Sequence, residues 1–457
     1  MQNRASSTQV STLSYRQLLL VLFTASLLMH FSFAVEAHFV AITAAAIGCL
    51  SLLVNPQHRT LPLLAVAVAV VQNAIGYPEL ANHATLELFM GSSLFMLLAA
   101  ERLHNKGQLL SDAALGQIIR TSAFVIYFLT GFHKLNWGFL DHDTTCANEM
   151  NLYLLRHFMP YGSVLPLAVT RIFQLGTLLA ELVVPFGLLF VRTRFVAAVL
   201  LLFFHAWLCL LGFANFASLG LLFLTASIVT PAHLQRLRLI PALRNYLAAV
   251  LVIGLSAFFI CNLGGKRMQG LEPSLWLVGL AALFSPVVLY MGKQFFSGTN
   301  RHEQPLLKSV RWWVPAVCFL IWGTQCYWGL SNRATLTMYS NLITEAGRSN
   351  HLLLNTRYTK LFHFEEDKAL LLSVSPNLLA FTGDQYRQFS YPLVLLRKRA
   401  AEWAANVKGP VRLELEYNGT VYVIENLSSD PLLKKRWYDD YLFFRETPLQ
   451  GLGGCYW

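Results

Sequence analysis

Apolar runs dominate the first three quarters of the chain and then stop. They fall at 17–35, 39–54, 61–77, 84–100, 113–137, 164–190, 195–212, 214–230, 245–263, 274–292 and 312–330. Near-continuous apolar runs of about 18 residues predict membrane-crossing helices. The stretch 195–230 is too long for one crossing, so it is divided near Gly212 to Asn215. After about Ser331 the pattern becomes mixed. "VRLELEYNGTVYVIEN" holds two alternating runs around Asn418-Gly419, a strong hairpin signal. "YPLVLLRKRAAEWAANV" reads as an amphipathic helix that ends before Gly409-Pro410. The pattern predicts an all-α polytopic membrane bundle of about 9–11 transmembrane helices over 1–330. A small α+β domain is expected over 331–457.

Composition supports the membrane reading. The chain is 55% hydrophobic and 13% charged, with a mean hydropathy of +0.48. The net charge of +11 is read as topology, not as affinity for nucleic acid. With the N-terminus inside, one set of loops holds fourteen Lys and Arg residues. The other set holds three, Arg156, Lys266 and Arg267. The positive-inside rule then places the N-terminus in the cytoplasm and, after eleven crossings, the C-terminal domain outside it, in an inner-membrane protein. The first run, with Arg4 and Arg16 before it and no small-residue cleavage site, reads as a retained helix. Cys49, Cys209, Cys261 and Cys318 fall in apolar runs, as small fillers. Cys146, Cys326 and Cys455 fall at or beyond the outer surface, where disulfides persist. Cys146 is expected near the soluble domain, either bridged to Cys326 or Cys455 or free. No metal-ligand spacing and no internal repeat is present.

Ionisable residues inside apolar runs are costly, and they need a partner, a cavity or a function. They are His83, Glu87, Lys134, Arg171, Glu181 and His205. The expected topology places all but Glu181 in the outer half of the membrane, where they could line one cavity, with Glu181 deeper. His83 and Glu87 are four apart, on one helix face. Each has a plain alternative. Lys134 and Arg171 snorkel to the surface. His83 caps a helix entry, Glu87 is a structural ion-pair partner, and His205 is a hydrogen-bonded core histidine.

The stretch "YFLTGFHKLNWGFL" resembles the core motif of the vitamin K-dependent γ-carboxylases and their bacterial relatives, the horizontally transferred transmembrane (HTTM) domain proteins. "ANHATLELF" is similar to their Asn-His helix start. "AELVVPFGLLF" and "LLFFHAWLCLLGFANF" match more loosely, and the resemblance covers roughly 15–330. "MYSNLITEAGRSNHLL" resembles a segment of bacterial members. The resemblance implies Lys134 as catalytic base. It implies His83 and Asn82 as supports of a reduced, vitamin K hydroquinone-like quinone. His205 matches a family position near the cofactor. In that family the lysine deprotonates the quinol, oxygen adds, and the resulting base removes a glutamate γ-proton before carbon dioxide is taken up. The resemblance implies a peptide or small-molecule substrate on the extracytoplasmic side, with the bilayer as the other partner. Two further readings stay open. One is an HTTM protein without carboxylase activity, acting in processing, export or immunity of a secreted peptide or lipid. The other is a transporter, disfavoured by the missing repeat.

Overall fold

The computed structural model describes residues 15–31, 35–54, 60–77, 80–104, 111–155, 165–211, 214–229 and 310–449. Breaks fall at 346, 383, 410 and 428, and positions 245, 246, 249 and 455 are described singly. The runs expected at 245–263 and 274–292 lie outside the described residues apart from 245, 246 and 249.

The described chain divides into two compact units. One comprises Met1–Ile75, Leu86–Phe124 and Val184–Ala316, and the other Gly76–Thr85, Val125–Val183 and Val317–Trp457. In the first, the helix Tyr15–Phe31 packs on Val35–Val54 and on Ala214–Ile228, which packs in turn on Arg194–Leu210. Leu19, Phe23 and Leu27 are buried on the first of these helices. Tyr15 and Arg120 both donate to the carbonyl of Ala226. The stretch 195–230 forms two helices, one ending at Leu210 and the next starting at Ala214.

The second unit carries a five-stranded antiparallel sheet in the order β4-β3-β1-β2-β5. Its strands are β1 (Lys368–Val374), β2 (Phe389–Pro392), β3 (Leu413–Tyr417), β4 (Thr420–Ile424) and β5 (Thr447–Pro448). β3 and β4 form the hairpin expected at Asn418-Gly419, and both turn residues have positive φ, 51° and 73°. A two-residue turn of this kind matches the twist of the strands it joins. The helix Leu393–Asn406 packs on β1 and β2. Leu393, Leu396, Ala400 and Trp403 meet Ala369, Leu371, Leu413 and Leu415 in one apolar core. Within that core Arg397 and Asp439 form a double ion pair, with both contacts at 2.8 Å.

The all-helical bundle of about 9–11 membrane-crossing helices does not describe this chain. The fold is mixed, helices with an antiparallel sheet. Among the described residues two helices, Asp112–His133 and Leu167–Leu189, are long and apolar enough to cross a membrane. The other apolar stretches described are shorter there, 10–17 residues. Hydropathy counts apolar residues whether they face lipid or a neighbouring helix, so it overstates the number of crossings.

Cys146 is bonded to Cys455, and Cys326 is a buried free thiol. The bond joins residues 309 apart in the chain. Cys146→Ser is expected to lower stability by ~2–4 kcal/mol through the greater freedom of the unfolded chain. Thermal unfolding with and without reductant checks this: reductant should reproduce the loss in the wild type and add nothing in the variant.

Candidate functional site

The helix Asp112–His133 ends one residue before Lys134, not at 137, so Lys134 sits in the turn that follows. The turn is held by its own backbone: Lys134 N donates to Gly131 O and Leu135 N to Phe132 O. Asn136, fully buried, caps the short helix Trp137–Leu140 by accepting from Phe139 N at 2.8 Å. Its amide donates to His133 O at 2.7 Å and Ser340 O at 2.6 Å. A polar residue at a helix entry is the expected cap. Here the same side chain also ties the turn to the segment around 340.

That segment is unusual. From Ser331 to Glu345 nearly every residue is buried, yet it contains no strand and no helix. Ala334, Leu336, Tyr339 and Asn341 all have φ between 54° and 64°, in the left-handed region. L-residues avoid that region, at a cost on the order of 1 kcal/mol or more each. The segment is held by side chains. Asn82 Oδ1 accepts from Leu336 N at 2.6 Å, and Asn341 Oδ1 accepts from Cys146 N at 2.8 Å. Asn350 donates to Asn341 O and accepts from Ile343 N.

Lys134 is buried, 5% exposed, and donates to Glu181 Oε2 at 2.6 Å and to Thr130 O at 3.4 Å. Glu181, 8% exposed, lies on a π-helical turn, Leu179–Val183, between the helices Leu167–Leu178 and Phe186–Leu189. A π turn inserts one extra residue and re-aims the side chains around it, and such turns concentrate at functional sites. The approach of the two backbones requires Gly131. A Cβ there would meet the Glu181 carbonyl carbon and Leu182 N at 2.8 Å. The expectation that Glu181 lies apart from the others is therefore corrected: it is the partner of Lys134. Two ionisable groups in contact at this burial share their protons as a unit. Such a pair can exist as ions or, by one proton transfer, as neutral amine and carboxylic acid.

The other expected site residues divide between the units. Asn82, His83, Lys134, Arg171 and Glu181 belong to the unit with the sheet, and Glu87 and His205 to the other. His83 is half-buried. Arg171 is exposed and donates to Leu140 O at 2.7 Å and Gln174 Oε1 at 2.9 Å. Glu87 meets His30, in a very short contact with Oε1, and Ser26, which donates to the same oxygen at 3.1 Å. Ser26 also meets Ser218 Oγ at 3.1 Å, so a buried polar network links three stretches of that unit. His205 is fully buried, stacked on Phe216 at 5.6 Å, with its ring against the Cα of Gly220. A Cβ at Gly220 would lie 2.6 Å from His205 Nε2. This is the packing of a core histidine.

Two histidines outside the expected site set, His133 and His351, lie beside the Lys134 turn. His133 Nδ1 and Tyr327 OH are 2.8 Å apart, both buried. His351 donates from Nε2 to Phe132 O at 3.0 Å, while its Nδ1 accepts from Leu353 N and Leu354 N, both at 3.1 Å. Those two donors hold His351 in its neutral form, since protonating Nδ1 removes the acceptor they share. Burial pushes its titration below the ordinary histidine value, and the bond to Phe132 opposes this. Its contribution to stability is therefore complete above the unfolded value of about 6.5 and is lost as pH falls below it. Thermal midpoints of wild type and His351→Gln, measured from about pH 7 to 5, should show a steeper acid decline in the wild type.

Compared with known proteins, the chain matches no protein-family model, no curated protein and no solved structure. The resemblance to the γ-carboxylases and HTTM proteins rests on the motifs quoted above.

Proposed function

We propose that the chain is an integral-membrane enzyme of the γ-carboxylase-like kind, in which Lys134, backed by Glu181, takes a proton from a reduced quinone. The observation that carries this reading is the buried Lys134–Glu181 pair at the end of a helix long and apolar enough to cross a membrane. An amine acts as a base only when neutral. Glu181 is placed to receive the lysine's proton, and apolar surroundings lower the cost of a neutral pair relative to two ions. Asn82 fits the proposed cofactor in part. Its oxygen is engaged by Leu336 N, so its amide nitrogen is the group to serve a quinone oxygen. His83, next in the chain, is the second candidate for that contact. His205 is not carried into this reading, because its ring is packed as a core residue. When bound, a reduced quinone with dioxygen supplies the strong base needed to remove a proton from carbon. The substrate is a peptide or small molecule on the extracytoplasmic side.

Two features support a membrane location. The helix Leu167–Leu189 exposes Ile172, Leu175, Leu179 and Val183 along one side, with exposed Arg171 near its start. A water-facing helix side would be polar at these positions. The Cys146–Cys455 bond favours an oxidising compartment for the sheet domain, outside the cytoplasm.

One observation favours the second reading, an HTTM protein without carboxylase activity that handles a secreted peptide or lipid. The 2.6 Å contact between Lys134 and Glu181 also fits a purely structural ion pair. A single assay separates the readings. Purified protein is supplied with a reduced naphthoquinone, dioxygen, labelled bicarbonate and glutamate-containing peptides. Oxidation of the quinol that is lost in Lys134→Arg supports base chemistry, since arginine keeps the charge and cannot be a base. Equal rates in wild type and Lys134→Arg would remove it.

A further inference from the structure

The segment from 350 to 363 lies as a strap across the ends of two helices. Leu352 N donates to Leu135 O at 2.8 Å, two residues past the helix Asp112–His133. Leu361 N and Phe362 N both donate to Trp328 O, at 3.1 and 3.0 Å, where the helix Gln325–Trp328 stops. Gly329 makes the second docking possible. It has φ 79°, and a Cβ there would lie 1.9 Å from Phe362 O. Trp137 joins the strap through its N–H to Asn350 O.

The strap exposes large apolar side chains, with Asn355, Arg357 and His363 exposed among them. Leu353 is 68% exposed, Tyr358 81%, Leu361 73% and Trp137 62%. Between them stands exposed Arg357, and no carboxylate occurs from 350 to 363. The geometry points to this strap as an interfacial membrane anchor. Leu353, Tyr358, Leu361 and Trp137 enter the boundary between headgroups and acyl chains, and Arg357 meets the phospholipid phosphates. The placement follows from length: the 22-residue helix Asp112–His133 rises about 33 Å, close to the ~30 Å of a hydrocarbon core. On the membrane reading its end lies at the interface, and the strap is bonded just past that end. Aromatic and basic side chains concentrate at this depth. The inference rests on the membrane reading and specifies which surface outside the helices touches lipid.

The test uses the full chain in vesicles of phosphatidylcholine and phosphatidylglycerol. A trace of phosphatidylcholine carries a diazirine on its acyl chain. After illumination, adducts are mapped by peptide mass spectrometry. Adducts are expected on Leu353, Tyr358 and Leu361, and on Ile172, Leu175 and Leu179. None are expected on Trp437 or Val421–Val423, which are also exposed in the fold. Adducts on Ile172, Leu175 and Leu179 without any on the strap overturn the anchor and leave the membrane reading standing. No adducts on either overturn both. Equal labelling of the strap and Trp437 overturns the anchor as well, since lipid contact would then be unselective.

Discussion

Lys134→Met is expected to lower stability by ~3–5 kcal/mol, because it leaves the Glu181 carboxylate buried without its cation. The side chains of Lys134 and Glu181 are 7% and 10% exposed, so neither has water to fall back on. Adding Glu181→Gln to the same chain should recover most of the loss, since a neutral amide costs far less to bury than an unpaired charge. Thermal midpoints of the two single variants and the double variant in detergent form the cycle that measures the coupling. A double variant no more stable than Lys134→Met would show that the two groups do not act as a pair.

Arg397→Met should cost a similar ~3–5 kcal/mol. The pair it breaks is the most enclosed in the sheet unit, with side chains 1% and 0% exposed. Asp439 Oδ2 also accepts from Arg436 N at 2.7 Å, so its carboxylate organises the turn that carries it. Arg397 is buried on the helix that also buries Leu393 and Ala400, and methionine preserves much of its side-chain volume. The expected loss is therefore electrostatic. Circular dichroism should retain the sheet at low temperature, with unfolding at a lower midpoint than wild type. An unchanged midpoint would mean that the pair contributes nothing net to folding.

Local rules account for the parts that were readable from residues. Asn418-Gly419 specifies its hairpin because both residues tolerate positive φ. The Leu393–Asn406 helix follows from its apolar period and the Gly409-Pro410 stop. The break between Leu210 and Ala214 follows from the length of a single apolar run. The number of crossings does not, because an apolar helix in contact with other helices has the same composition as one in lipid. The pairing of Lys134 with Glu181 was hidden for another reason. It depends on Gly131 admitting a backbone at contact distance and on a π turn re-aiming one carboxylate, and neither leaves a periodic trace. The segment from Ser331 to Glu345 is the extreme case. Its four left-handed residues include Ala334 and Leu336, whose local preferences oppose that backbone. Long-range bonds hold it there, among them those from Asn82 and from the Asn136 and Asn350 amides. The sequence by itself determined the apolar helices and the hairpin, since each depends on neighbours a few residues away. The tertiary structure decided which charge meets which, because contacts between residues 47 to 254 positions apart are selected by packing and not by local preference.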